Sequence, residues 1–147
     1  MIATFSESPV IERCWLFLLA LLGVVDGVLA DAPALVAQGQ RAFQKGVFSQ
    51  AVADWQEAVE SFRKEGNANA DILTSVSLAS AYQSIGQQRH AVRILVDALA
   101  RAEKTGDRSQ VTLVKSKLGA ALVMTLEVER AATLLRESLD AARADKD

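Results

Sequence analysis

The chain has 147 residues, half of them hydrophobic, with 16 basic and 18 acidic side chains and a formal net charge of −2. That length bounds it at one modest domain, and the near balance of charge excludes long-range attraction to nucleic acid or an anionic surface. With two prolines and eight glycines there is little punctuation for a β-rich chain, so the abundant Ala, Leu, Glu, Gln and Arg predict an all-α fold.

The first element is apolar. Cys14 to Val25 reads CWLFLLALLGVV without a charge, and the stretch closes with DGVLA at Ala30. Its uncharged length is short of the roughly 20 apolar residues that a spanning helix needs, so it reads as the h-region of a signal peptide over residues 1–30. Val28 and Ala30 stand three and one residues before a cleavage between Ala30 and Asp31. The basic region is thin, with Arg13 opposed by Glu7 and Glu12. An uncleaved membrane anchor over 14–30 and a buried core helix are the alternatives. Cys14 precedes the apolar run and cannot be the acylated first residue of a processed lipoprotein. Cleavage would remove this lone cysteine, leaving no thiol or disulfide, and would leave 15 basic and 15 acidic residues. The expectation is an exported protein, periplasmic or secreted, whose working part is 31–147.

Beyond Asp31 the sequence repeats every 40 residues. Positions 51, 91 and 131 are Ala, Ala, Ala; 55, 95 and 135 are Trp, Leu, Leu; 39, 79 and 119 are Gly, Ala, Gly. The breaks recur too, at Gly46 and Gly86 and at Gly66 and Gly106. Each unit holds two amphipathic segments with a short turn at 45–47 or 85–87 and a polar link at 65–70 or 105–110, giving hairpins over about 32–71, 72–111 and 112–147. In the second unit Ile72, Ser75, Ala79 and Tyr82 form one helical stripe, and Ala91, Leu95, Ala98 and Ala102 form that of its partner. Glycine suits the left-handed end of a helix, and Asn69 or Ser109 is expected to cap the helix that follows. Trp55 shares its register with two leucines, which assigns it to the interhelix core rather than to a ligand platform.

This pattern resembles the tetratricopeptide repeat: a small residue at the eighth position (Gly39, Ala79, Gly119), glycine at the turn (Gly46, Gly86), alanine at the twentieth (Ala51, Ala91, Ala131) and a small residue at the twenty-seventh (Ala58, Ala98, Ser138). The family's period is 34, so each repeat carries about six extra residues. The long helices and the EGN and TGD links look like the long-repeat branch of kinesin light chains, of regulators of G-protein signalling and of exported bacterial proteins with a CHAT domain. The resemblance implies a right-handed α-α superhelix. Two departures stand out: Leu126 replaces the turn glycine in the third repeat, and Gln38 stands where the others have Leu78 and Leu118. Leu126 implies either a turn of different shape or a branched residue in the left-handed region.

The sequence offers no catalytic constellation. His90 is its one histidine and is read as surface. There is no nucleophile elbow, phosphate loop or dinucleotide fingerprint. Glu57, Glu60, Glu127, Glu129 and Glu137 read as solvated helix faces. No cofactor, metal or catalysis is expected, and the predicted role is a protein or peptide interaction scaffold. The resemblance implies a concave groove, mapped to Val36, Gln40, Phe43 and Gln44, to Val76, Ser80, Gln83 and Ser84, and to Ser116, Ala120, Val123 and Met124 with Lys117 nearby. That groove is mixed and mostly neutral, and it lacks the family's lysine and asparagine carboxylate clamp. Amide and hydroxyl contacts to a peptide backbone, with apolar pockets near Phe43 and Met124, are expected. Two other roles are open: a regulatory module for a CHAT-type protease, and a self-assembling unit. Leu134, Leu135 and Leu139 of the uncapped last repeat point to a possible homo-oligomer. Membrane contact is expected only through an unprocessed N-terminal segment.

Overall fold

The computed structural model describes residues 31–144; the signal segment expected over 1–30 lies outside the described residues. Six α-helices follow one another: α1 (Ala32–Gln44), α2 (Phe48–Glu65), α3 (Ala68–Ser84), α4 (Gln88–Thr105), α5 (Arg108–Met124) and α6 (Val128–Ala144). Among the described residues there is no strand. Pro33 falls in the first turn of α1, where its missing N–H costs no hydrogen bond.

The 40-residue period is a period of backbone conformation as well as of residue type. Gly66 and Gly106 end α2 and α4 with φ of 72° and 73°. The short turns carry Gly46 at φ 76° and Gly86 at φ 77°. Each closes with the same hydrogen bond, Val47 N to Ala42 O at 2.9 Å and Gln87 N to Tyr82 O at 2.8 Å. The third turn has the same shape. Glu127 N donates to Leu122 O at 3.0 Å and Leu126 takes φ 65°, so a branched residue occupies the left-handed region that the other two turns give to glycine.

The helix starts fall two residues earlier than the sequence suggests. Asn67, not Asn69, caps α3, its side chain accepting from Ala70 N at 3.2 Å. Asp107, not Ser109, caps α5, accepting from Ser109 N at 2.9 Å and Gln110 N at 3.2 Å. In both links the residue directly after the left-handed glycine is extended enough to end one helix and open the next, so the cap lies there. Asn69 instead accepts from Gln110 Nε2 at 3.1 Å, joining the two links.

Packing follows from the small residues. Trp55 is 2% exposed and its Nε1 donates to Val36 O at 3.2 Å. Its indole lies over Gly39, where a Cβ would sit 2.6 Å from Nε1. The pair therefore replaces a side chain on α1 by the ring on α2. Gly119 repeats the arrangement under Leu135, with a would-be Cβ 2.7 Å from Cγ. Two clusters make the core: Ala51, Val52, Trp55, Val59, Leu78 and Ala81, and a larger one reaching from Ile72 through Leu95 to Leu118 and Leu122. Each helix packs on its sequence neighbours, and α3 also meets α5 directly, which places the odd helices in an inner layer. On the outer side α2 and α4 flank a cleft of about 190 Å³ floored by Ser75 and Leu78 of α3.

Candidate partner-binding face

The inner face is built by residues 40 apart on α1, α3 and α5. Helical spacing puts Leu73, Ser77, Ser80 and Ser84 on one stripe of α3, and Leu113, Lys117, Ala120 and Met124 on the matching stripe of α5. Leu73 is 48% exposed and Leu113 is also open to solvent. Neither was among the residues singled out from sequence. The signal was present in their 40-residue separation and their register with Ser77 and Lys117.

All of the residues mapped from sequence lie on these inner helices, but they divide into two sets. Gln40, Gln44, Ser84, Lys117, Ala120 and Met124 are exposed and Ser80 is half-buried; these share the inner stripe. Val76 is buried in the cluster that includes Val114 and Leu118, so it meets α5 instead of facing the groove. The positions one stripe over are directed at the next inner helix. Val36, Phe43 and Gln83 are half-buried for that reason, whereas Ser116 and Val123 are exposed because no described helix follows α5 and α6. Phe43 is further held by Phe48 and Trp55, at ring centroid distances of 5.2 Å and 5.6 Å. It supports the wall instead of offering a pocket.

The serine hydroxyls are less available than their exposure suggests. Ser77, Ser80 and Ser84 donate to Leu73 O, Val76 O and Ser80 O at 3.4, 3.1 and 3.1 Å. With their hydrogens directed back into the helix, they turn acceptor lone pairs toward a visitor. The face thus combines apolar contact at Leu73, Leu113 and Met124, hydroxyl acceptors along α3 and one cation at Lys117. At the turn edge a cleft of about 440 Å³ lies between Gly86–His90 and Met124–Leu126. His90 is exposed as expected and stacks on Tyr82 at 5.3 Å.

No protein-family model matches the sequence, and no curated protein matches it. Solved structures do. The crystal structure of the TPR domain of Arabidopsis FLU superposes with a TM-score of 0.70 at 16% identity, covering 79% of this chain and 96% of that one. The fold is that of a tetratricopeptide-repeat domain. The apo form of RapI also matches, with a TM-score of 0.76 at 12% identity, covering 92% of this chain and 50% of RapI; the chain thus spans about half of RapI's length. The TPR fold accounts for the α-α solenoid with its small-residue helix crossings.

One polar cluster lies inside this TPR stack. Asp71 at the start of α3 is buried between Arg63 of α2, whose Nε is 3.3 Å from Oδ1, and Arg101 of α4, whose Nε is 2.8 Å from Oδ2. Ser75 Oγ donates to Asp71 Oδ1 at 3.1 Å, and Arg101 Nη2 donates to Ser75 Oγ at 3.3 Å. The Arg101 Nε contact is close but misaligned for a hydrogen bond. Burial holds the Arg101 guanidinium below its usual pKa, with Asp71 opposing the effect and nearby Arg63 adding to it. Among the described residues no three His, Cys, Asp or Glu side chains gather as a metal site.

Proposed function

We propose that this TPR domain is a non-catalytic module that binds a protein or peptide segment along its inner face. The observation that carries the reading is the pair Leu73 and Leu113, large apolar residues in the same register of consecutive inner helices and left open to solvent while equally large residues are buried. Between and beside them the Ser77, Ser80 and Ser84 hydroxyls offer acceptors. A segment that places apolar side chains at both leucines, and backbone N–H groups near the serines, fits this chemistry. Without charge capture beyond Lys117, affinity would depend on apolar burial and change little with salt.

The test is site-specific photo-crosslinking from Ser77 and Lys117, with exposed Arg93 on α4 as a control. A partner found from the inner positions is then purified and titrated against Leu73→Glu and Leu113→Glu. Capture from the inner positions together with at least about tenfold weaker binding of the variants supports the reading. Equal capture from Arg93, or unchanged affinity of both variants, refutes it.

We also propose that the chain is exported. The support is the uncharged run Cys14–Val25 followed by Val28 and Ala30; no helix among the described residues is long and apolar enough to cross a membrane. Intact mass after fractionated bacterial expression tests this. A periplasmic species beginning at Asp31 supports export, and a cytoplasmic species beginning at Met1 refutes it.

A further inference from the structure

A five-position stripe with alternating steps of four and three runs along each outer helix: Phe48, Val52, Trp55, Val59 and Phe62 on α2; Gln88, Val92, Leu95, Leu99 and Ala102 on α4; Val128, Ala132, Leu135, Leu139 and Ala142 on α6. In the first two helices the stripe lies between the hairpin's own inner helix and the next one, and Trp55 and Leu95 are 2% and 1% exposed. On α6 no described helix follows, and Leu135 and Leu139 are 37% and 50% exposed. The geometry of α3 on α2 defines the occupant as an antiparallel amphipathic helix. The head of a second copy does not qualify. Residues of α3 and its C-cap that cover α2 include Leu78, Ala81 and Ile85, and their counterparts on α1 and its C-cap are the exposed polar residues Gln38, Arg41 and Lys45.

We propose that α6 pairs with α6 of a second copy of this chain, antiparallel across a two-fold axis near Leu135. In that register a central leucine pair is flanked on both sides by large residues that meet small ones. Leu135 packs on its symmetry mate, Leu139 on Ala132 and Val128 on Ala142, so the stripe is complementary to itself as an isologous contact requires. The flanking charges agree. Glu129 falls beside Arg143 of the other copy twice over; among the described residues Glu129 has no ion partner, and Arg143 has only a 3.9 Å contact with Asp140. Arg136 approaches its own mate near the axis, and its long side chain extends outward to water. The dimer uses outer-layer residues, none of them on the inner face, so its failure would leave the peptide-binding reading intact.

The experiment is analytical ultracentrifugation of the full chain over a range of concentrations. The expected result is a monomer–dimer equilibrium that Leu135→Glu combined with Leu139→Glu converts to monomer while helical circular dichroism is kept. Glu129→Arg or Arg143→Glu alone should each raise the dimer Kd about tenfold, and the two together should restore it. A monomer at every concentration overturns the proposal. So does a dimer that ignores the α6 leucines, or a charge exchange that fails to restore affinity, either of which would assign the stripe to another occupant.

Discussion

Replacing Leu126 by glycine should stabilise the fold, even though it deletes an apolar side chain. Leu126 holds φ 65°, a region that costs an L-residue about 1–2 kcal/mol, and glycine would remove that cost. The freer unfolded chain of the glycine variant offsets about 0.4–1 kcal/mol. The side chain is 85% exposed, so its loss forfeits almost no burial. The net gain is about 0.5–1 kcal/mol, which for a domain of this size is a rise in melting temperature of about 2–4 °C. Thermal denaturation followed by circular dichroism, with Leu126→Ala in parallel, decides the matter. Alanine keeps the left-handed strain and should melt close to the parent. A glycine variant that melts at or below the parent would refute the argument. An alanine variant that gains as much as glycine would move the cause from backbone to side chain.

Other substitutions probe the packing and the polar ties. Gly39→Ala drives a Cβ to 2.6 Å from a Trp55 ring that is fully packed, and should cost about 1–3 kcal/mol in urea unfolding. In the monomer, at concentrations below the dimer Kd, Gly119→Ala meets the half-exposed Leu135, which can turn aside there, so helix propensity should make it nearly neutral; equal losses at the two sites would contradict this account of the small positions. Asp71→Asn leaves Arg63 and Arg101 around a neutral amide and should cost about 3 kcal/mol, read from the urea midpoint. The Asp107 carboxyl is held below its usual pKa, first by the Ser109 hydroxyl and then by the Gln110 amide. A depressed pKa means that its contribution is present above the unfolded-state value and is lost as pH falls through the folded one. Melting temperatures of the parent and Asp107→Ser across the acid range should therefore converge as pH drops, and a constant gap would contradict the assignment.

The periodic features were legible because they are local. The glycine turns, the alanine crossings and the place of Trp55 each follow from residue type at one register, and the structure puts them where the period predicts. Two features were less so. The caps lie at Asn67 and Asp107 because the backbone leaves its left-handed glycine ready to open a helix at once, and a Ser or Asn two residues later looks equally suitable in a string of letters. The inner face was legible in part: Gln40, Gln44, Ser80, Ser84, Lys117, Ala120 and Met124 fall on its stripe, whereas Val36, Phe43, Val76, Gln83, Ser116 and Val123 lie one stripe over, because α3 and α5 are apolar on more than one side. Val76 and Leu73 are both apolar and three apart on the same helix; only the position of α5 decides that Val76 is covered and Leu73 is open.

The buried Asp71 also bears on evolution of the array. Its partners come from the helices on either side, while Asn69, two residues before it, reaches the third hairpin through Gln110. The set occurs once: the residues 40 after Arg63, Asp71 and Arg101 are Glu103, Val111 and Ala141. Repeat arrays built of equivalent units can be lengthened or shuffled because every junction is alike. Here the junctions carry addresses. A second hairpin duplicated in tandem carries Asp71 and Arg101 together, but the new copy would meet Glu103 where the original meets Arg63, so the chemistry of this junction opposes its own duplication.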